Sequence, residues 1–348
     1  MKRPSFKRPN WSRTGWTLAG LTLLLRLVAA ARLTIGEPIP RLEDDAIDWP
    51  AFRDYLSLRL DRVMVGLFVG GALAAAGVLL QALLRNPLAS PYILGLSSGA
   101  MVGVTLVEYL GFLGLFGATL ALGSTHLGAL AGALATMAIV YALGQRRGWI
   151  DPLGLLLVGV IVNAVNGALV MFFSYLMPAH LRGEVSLWAM GYFNQNVMVE
   201  WPPWSLIIVG LVTVGGIALA AWFGRAMDLA TLSDDEAQSM GLNLRSLRLA
   251  LFALAGMLTA GSIVLAGPIG FVGLICPHFV RLLIGPSHRP LLVGAALAGA
   301  ALVIAADGAV KLADVGQGLM PLGILTSLIG GPVFLWMLHR RLGGGLNA

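Results

Sequence analysis

Long apolar segments separated by short polar ones run through almost the whole chain. A helix that crosses the hydrocarbon core of a bilayer needs about 20 apolar residues, and ten segments approach or exceed that length. They cover residues 14–35, 62–84, 92–109, 122–144, 153–177, 203–223, 247–266, 268–284, 290–307 and 320–338. Nine is the competing number, because only Gly267-Pro268 separates two of them. Lipid offers no partner to an open sheet edge, so the pattern predicts an all-α, polytopic membrane protein with about ten transmembrane helices.

The composition agrees with a protein whose solvent is membrane lipid. Hydrophobic residues make up 57% of the 348 residues and charged residues only 11%, whereas a soluble chain averages about 25% charged residues. The polar segments are all short. We therefore expect one transmembrane domain over residues 1–348 and no soluble domain.

Basic residues are concentrated in alternate loops, which predicts the orientation. With the N-terminus inside and ten spans, 15 of the 23 Lys and Arg residues lie in inner loops, six in outer loops and two in the first span. Both termini are then cytoplasmic, with a tail at 1–13, an outer loop at 36–59 and a cytoplasmic loop at 225–248. The net charge of +6 describes this inner face and does not indicate a nucleic-acid partner.

Two cytoplasmic segments carry strong local signals. Arg85–Pro91 holds two prolines, Pro87 and Pro91, which cannot lie within one continuous helix. In the 225–248 loop, Ser233 with Glu236 predicts a capping box, and Gly241 predicts the helix end. Ala237 and Met240 are expected to share a face of this short helix. It is either a docking element or a solvated loop with ordinary caps.

Polar residues at membrane depth are costly, which makes them candidates for a transport path. They are Ser97, Ser98, Asn163 and Asn166, with Met171 and Ser174 continuing the face of the two asparagines. Hydrogen bonding between helices is an equally good interpretation. The glycines that recur at every fourth position, Gly95, Gly99 and Gly103, favour close helix packing.

Several kinds of chemistry are missing from the sequence. The lysines are Lys2, Lys7 and Lys311, and none follows a glycine-rich loop that could hold phosphate. The chain is therefore not expected to hydrolyse ATP. Cys276 and His278 are too few for a metal site, so no metal and no cofactor of its own is predicted.

The motifs in this chain resemble those of a known family. They are Arg59-Leu-Asp-Arg62, Gln81-Ala-Leu-Leu-Arg-Asn-Pro-Leu-Ala-Ser-Pro91, Leu94-Gly-Leu-Ser-Ser-Gly-Ala100, Gly267-Pro-Ile-Gly-Phe-Val-Gly273, Cys276-Pro-His278, His288-Arg-Pro290 and Met320-Pro-Leu-Gly-Ile324. In this order, over nearly the whole length after the first span, they are similar to the permease subunits of type II ATP-binding-cassette importers for iron–siderophore complexes, haem and cobalamin.

The resemblance implies partners and residue roles. Two permease subunits, either two copies of this chain or this chain with a sister subunit, would surround the path in the inner membrane. Two cytoplasmic ATPase subunits would bind ATP and Mg, and a periplasmic binding protein would deliver the substrate. The implied cytoplasmic gate is Asn86, Leu88, Asp151, Pro152 and Leu153. The implied ATPase-coupling residues are Leu232, Ser233, Asp234, Glu236, Ala237, Met240 and Gly241. Arg59, Arg62 and Lys311 are implied to dock the binding protein.

An iron complex, siderophore or haem, is the first substrate candidate, followed by cobalamin and then molybdate. Two alternatives remain open at this point. One is a secondary transporter with Glu108, Asp307 and Asp314 as its carboxylates. The other is a membrane enzyme acting on a lipid or quinone.

Overall fold

The computed structural model describes residues 11–35, 48–115, 124–146, 148–193, 203–313 and 320–344. These ranges contain thirteen α-helices: α1 Trp11–Thr34, α2 Trp49–Leu83, α3 Leu96–Phe112, α4 Ser124–Leu143, α5 Pro152–Leu176, α6 Ala179–Ala189, α7 Pro203–Trp222, α8 Gly224–Leu229, α9 Asp234–Ser239, α10 Leu244–Ala266, α11 Val272–Ile284, α12 His288–Leu312 and α13 Leu322–Gly344. A 3₁₀-helix covers Pro91–Leu94, and β1 (Gln145–Arg146) pairs antiparallel with β2 (Trp149–Ile150).

Ten of these helices correspond to the ten predicted spans. Within the described ranges, six helices are long and apolar enough to cross a membrane, namely α1, α2, α4, α5, α10 and α12. The shorter apolar helices α3, α7, α11 and α13 complete the set. Gly267 ends α10 with a φ of 64°, and α11 starts only after Phe271. The helix therefore breaks at Gly267-Pro268, and the prediction of an all-α protein with about ten spans is confirmed.

Helix α2 is longer than its apolar stretch predicts. It begins at Trp49, although the apolar segment begins at residue 62. Asp48 caps it by accepting a hydrogen bond from the Ala51 N–H at 3.2 Å, and Pro50 occupies the first turn. Residues 49–59 of the predicted outer loop are therefore helical. Residues 36–47 of that loop and 1–10 of the predicted tail lie outside the described residues.

Glycines allow the central helices to touch through their backbones. A Cβ added to Gly70 in α2 would lie 2.2 Å from the Gly299 carbonyl oxygen in α12, and one added to Gly103 in α3 would lie 1.9 Å from the Gly128 carbonyl oxygen in α4. Helix α2 is at the centre: 83% of the residues in its apolar 18-residue stretch are buried, whereas in the corresponding stretch of α5 only 17% are buried. The glycine repeats thus pack helices, and α5 presents a broad apolar face outward.

Candidate translocation path and coupling surface

The Arg85–Pro91 segment forms the compact turn that its prolines predict. After α2 ends at Leu83, the Asn86 side chain accepts a hydrogen bond from the Leu88 N–H at 2.9 Å, and its carbonyl accepts one from Ala89 N–H at 3.0 Å. Pro91 then starts the 3₁₀-helix. An asparagine that bonds the backbone two residues ahead fixes the turn, so Asn86 sets where Leu88 lies.

The second predicted gate segment is the start of α5. Asp151 is its N-cap and accepts a hydrogen bond from the Gly154 N–H at 3.1 Å, while Pro152 occupies the first turn. The Leu153 side chain is 64% exposed. This segment therefore has a rigid start that carries an outward-facing apolar residue.

A cavity of about 920 Å³ adjoins the first of these segments. Leu88 of the turn lies on its wall, together with residues from the 3₁₀-helix, the α10–α11 break and α13. The lining residues are Leu88, Ser90, Tyr92, Ile93, Ala189, Met190, Pro268, Gly270, Phe271, Leu274, Gly323, Ile324, Ser327, Leu328 and Phe334. None of them carries a charge, so the wall is mainly apolar with a few hydroxyl groups.

The polar residues proposed for the path instead bond to one another between helices. The Ser98 hydroxyl donates to Asn163 Oδ1 at 2.7 Å, and Asn166 Nδ2 donates to the oxygens of Ser98 at 3.1 Å and Thr136 at 3.2 Å. Asn163 Nδ2 also donates to the Tyr92 carbonyl at 2.9 Å. This network joins α3, α4, α5 and the 3₁₀-helix, as the interhelical interpretation predicts.

The remaining predicted path residues are not among those that line the cavity. Ser97 is buried, Met171 is 76% exposed on α5, and Ser174 is half-buried on the same helix. Their role in a path stays a prediction.

The serines on the cavity wall are Ser90 and Ser327. Neither residue was among the polar residues predicted to line the path. Two sequence features do contribute to the cavity wall: the Arg85–Pro91 turn through Leu88 and Ser90, and the glycine and proline break through Pro268.

The 225–248 loop contains the capped helix that was predicted. Ser233 Oγ accepts a hydrogen bond from the Glu236 N–H at 3.3 Å, and Glu236 Oε2 accepts from the Ser233 N–H at 3.1 Å. The Ser233 hydroxyl and N–H bonds hold the pKa of the Glu236 carboxyl below its usual value. Gly241 follows the helix with a φ of 84°. The N-terminal and C-terminal signals of α9 are both confirmed.

The two residues of the predicted shared face differ in burial. Ala237 is buried, whereas Met240 is 61% exposed. Met240 is the C-cap of α9, and its N–H still donates to the Glu236 carbonyl at 3.1 Å. Leu232 is half-buried just before the helix. The exposed surface of the loop therefore includes Glu236 and Met240, while Ala237 anchors the helix to the protein.

The three basic residues implied in docking have different environments. Arg62 turns inward: its Nη2 lies 3.3 Å from Asp307 Oδ1, and Asp307 also pairs with Arg32 at 2.5 Å. Arg59 lies over the Tyr55 ring at 4.4 Å and donates to the Leu33 carbonyl. Lys311 is partly exposed in the last turn of α12. Docking by these residues stays a prediction, and Arg62 has an internal partner that sequence reasoning missed.

Comparison with known proteins identifies the kind of protein that carries this arrangement. Residues 18–340 match the FecCD transport family. The chain belongs to that family. The haemin transport system permease HmuU of Yersinia pestis is 39% identical over 82% of this chain and 83% of the relative. The molybdate permease MolB of Haemophilus influenzae is 31% identical over 94% of this chain and 96% of its own length.

A solved structure agrees with this assignment. A metal-chelate type ABC transporter in an inward-facing conformation has a TM-score of 0.79 and 29% identity, covering 94% of this chain and 99% of that one. The cobalamin permease BtuC of Halobacterium salinarum is 36% identical over 82% of this chain and 73% of its own. This FecCD protein is thus a multi-pass membrane permease of an ATP-binding-cassette importer.

Proposed function

We propose that this FecCD permease imports an iron complex, with haem as the first candidate, across the inner membrane. The chain provides the path. ATP and Mg are bound and ATP is hydrolysed by two partner ATPases at the cytoplasmic face, and a periplasmic binding protein delivers the substrate. Both termini face the cytoplasm, as the distribution of Lys and Arg favours.

The observation that carries this proposal is the cavity beside the Leu88 turn. A volume of about 920 Å³ with an uncharged, mainly apolar wall suits a large organic metal complex. A small oxyanion such as molybdate would be held by basic groups or by converging N–H donors. The 39% identity to a haemin permease, against 31% to a molybdate permease, supports the same order of substrates, with ferric siderophores and cobalamin after haem.

A second permease subunit fits the outward face of α5. Large apolar side chains of this helix are exposed, including Leu157 at 59%, Ile161 at 63% and Tyr175 at 81%. Lipid covers part of such a surface, and a second copy of this chain covers the rest. On the opposite side of the membrane from α9, Arg59 and Lys311 are the basic residues that dock an acidic surface of the binding protein.

Reconstitution tests the proposal directly. The permease is placed in proteoliposomes with its partner ATPase and binding protein, and accumulation of haem, a ferric siderophore, cobalamin and molybdate is measured with and without ATP. We expect ATP-dependent accumulation of haem that stops when the ATPase is inactivated. ATP-independent accumulation driven by an ion gradient, or no accumulation of any of the four, would refute the proposal.

The structure gives less support to a secondary transporter. Its carboxylate candidate Asp307 already pairs with Arg32 and Arg62, and Glu108 accepts a hydrogen bond from the Thr125 hydroxyl at 2.6 Å. The third candidate, Asp314, lies outside the described residues. No observation favours the membrane enzyme.

A further inference from the structure

A cluster of three charged side chains joins the coupling loop to both predicted gate segments. Arg85 Nη2 lies 2.6 Å from Asp234 Oδ1, and Arg248 Nη2 lies 2.8 Å from Asp234 Oδ2. Asp234 is the first residue of α9, Arg85 belongs to the turn after α2, and Arg248 lies in α10. One carboxylate therefore holds two separate arginines.

Each arginine also binds a backbone carbonyl. Arg85 Nε donates to the Ala230 carbonyl at 3.0 Å, between α8 and α9. Arg248 Nη1 donates to the Ile150 carbonyl at 3.4 Å, directly before the Asp151 cap of α5. The α9 segment is thus connected through Arg85 to the turn that holds Leu88, and through Arg248 to the start of α5.

The backbone of Arg85 marks the point where the chain turns away from α2. Its φ is 47°, in the left-handed region that residues with a Cβ rarely adopt. The N–H groups of Arg85 and Asn86 donate to carbonyls of the last turn of α2 at 3.4 and 3.2 Å, and these bonds close the helix end around that conformation. The Arg85 side chain therefore fastens an already fixed turn to Asp234, and Leu88 lies three residues further on.

We propose that Asp234 is a positioning residue that transmits movement of α9 to the cytoplasmic gate through Arg85 and Arg248. This inference rests on the proposed function, because it requires an ATPase that moves α9. When the ATPase displaces α9, Asp234 carries the Arg85 turn with it, and Leu88 shifts against the cavity. Arg248 passes the same displacement to the start of α5.

Charge and exposure agree with a mechanical role. Burial opposes ionisation of Asp234, but Arg248 and Arg85 outweigh it and hold the pKa of the carboxyl below its usual value, so it stays charged at cytoplasmic pH. The side chains of Arg85 and Asp234 are 37% and 41% exposed. Ion pairs this exposed add little to folding stability. Arg248 is only 11% exposed, but its bond to the Ile150 carbonyl does not depend on the Asp234 charge. We therefore expect Asp234→Asn to alter the linkage while the fold persists.

The test measures whether ATP still moves the gate. The complete assembly with its ATPase carries Leu88→Cys, and a membrane-impermeant maleimide is applied with and without ATP. Cys276, the single native cysteine, is buried, and the parent without Leu88→Cys provides the background. We expect ATP to change the labelling rate by about fivefold or more, and Asp234→Asn to reduce that change to less than about twofold.

Asp235→Asn is the matched control. It removes the same charge from the same first turn, but Asp235 has no ion pair with an arginine in the part of the chain that the structure describes. We expect it to keep most of the response to ATP. An equal loss in both variants would mean that the overall charge of α9 matters rather than the pairing, and would overturn the inference.

Two further variants separate a broken linkage from a damaged protein. Arg85→Gln leaves α9 unchanged and should lose the response as Asp234→Asn does. Combining the two should cause no further loss, because both remove the Arg85–Asp234 contact that carries the displacement to Leu88. Asp234→Glu should keep part of the response. A full ATP response in Asp234→Asn or in Arg85→Gln would refute this inference and would leave the proposed function standing. Lack of any ATP response in the Leu88→Cys parent refutes the proposed function.

Discussion

The substitution Asp307→Asn tests whether the buried charges near the predicted outer end of α12 stabilise this permease. Asp307 and Arg32 are each only 3% exposed and lie 2.5 Å apart, and Arg62 completes the group at 3.3 Å from the second carboxylate oxygen. Asparagine has nearly the same shape but no charge. The substitution therefore leaves two arginines without their counter-charge in a site that water hardly reaches.

The expected cost follows from this burial. Removing one partner of a buried ion pair costs about 3–5 kcal/mol, because the remaining charge is uncompensated. With an unfolding entropy of roughly 2.1 cal/mol/K per residue and 348 residues, this corresponds to a decrease in Tm of about 4–7 °C. Replacing all three members with apolar residues should be less harmful than Asp307→Asn, because no unpaired charge is then buried.

The assay uses the single cysteine. Cys276 is 4% exposed, so a dye that fluoresces on reaction with thiols reports unfolding as the purified protein is heated in detergent. Glu108→Gln is the control, since that carboxylate accepts a hydrogen bond from a neutral hydroxyl, and we expect a smaller decrease in Tm. If Asp307→Asn melted at the wild-type temperature, the argument that this carboxylate neutralises two buried arginines would be wrong.

Three further outcomes follow from the structure. Gly77→Ala should destabilise the protein by about 1–3 kcal/mol or more, because its Cβ would lie 1.8 Å from the Gly273 oxygen; Gly215→Ala, with nothing within 4 Å, should be neutral or stabilising in the same melting assay. The lowered pKa of Glu236 means that its contribution to the α9 cap is present above the usual Glu pKa of about 4.3 and is lost as the pH falls through the lowered value; hydrogen exchange of α9 should show this, and Glu236→Gln should abolish the dependence. Ser327→Trp should fill the cavity and block most haem uptake while Met171→Trp does not, and the reverse result would favour the predicted path over the cavity.

Local features of the fold were accessible from the sequence because they depend on neighbouring residues. The lengths of the apolar segments predicted the ten spanning helices. The capping box of Ser233 and Glu236 predicted where α9 starts. The start of α2 was missed because Arg53 and Asp54 make residues 49–59 look like a loop. Asp48 and Pro50, a cap followed by a first-turn proline, were the signal that could have located it.

The candidate site depended far more on tertiary structure. Asn163 and Asn166 stand out as polar residues in an apolar helix, but only the packing of α3 and α4 against α5 shows that their amides are already hydrogen-bonded. The wall of the cavity comes from segments as distant as Leu88 and Phe334. No local pattern brings such residues together.

The sequence by itself determined that this chain spans a membrane, about how many helices it has, and which turns are rigid, because hydrophobic length, caps and prolines act over a few residues. Tertiary structure alone decided which charges meet. Arg32 and Asp307 are 275 residues apart in the sequence, and Arg85 pairs with Asp234 although 149 residues separate them. A charge within a helix needs a partner, yet only the packing of the whole bundle selects which one it receives.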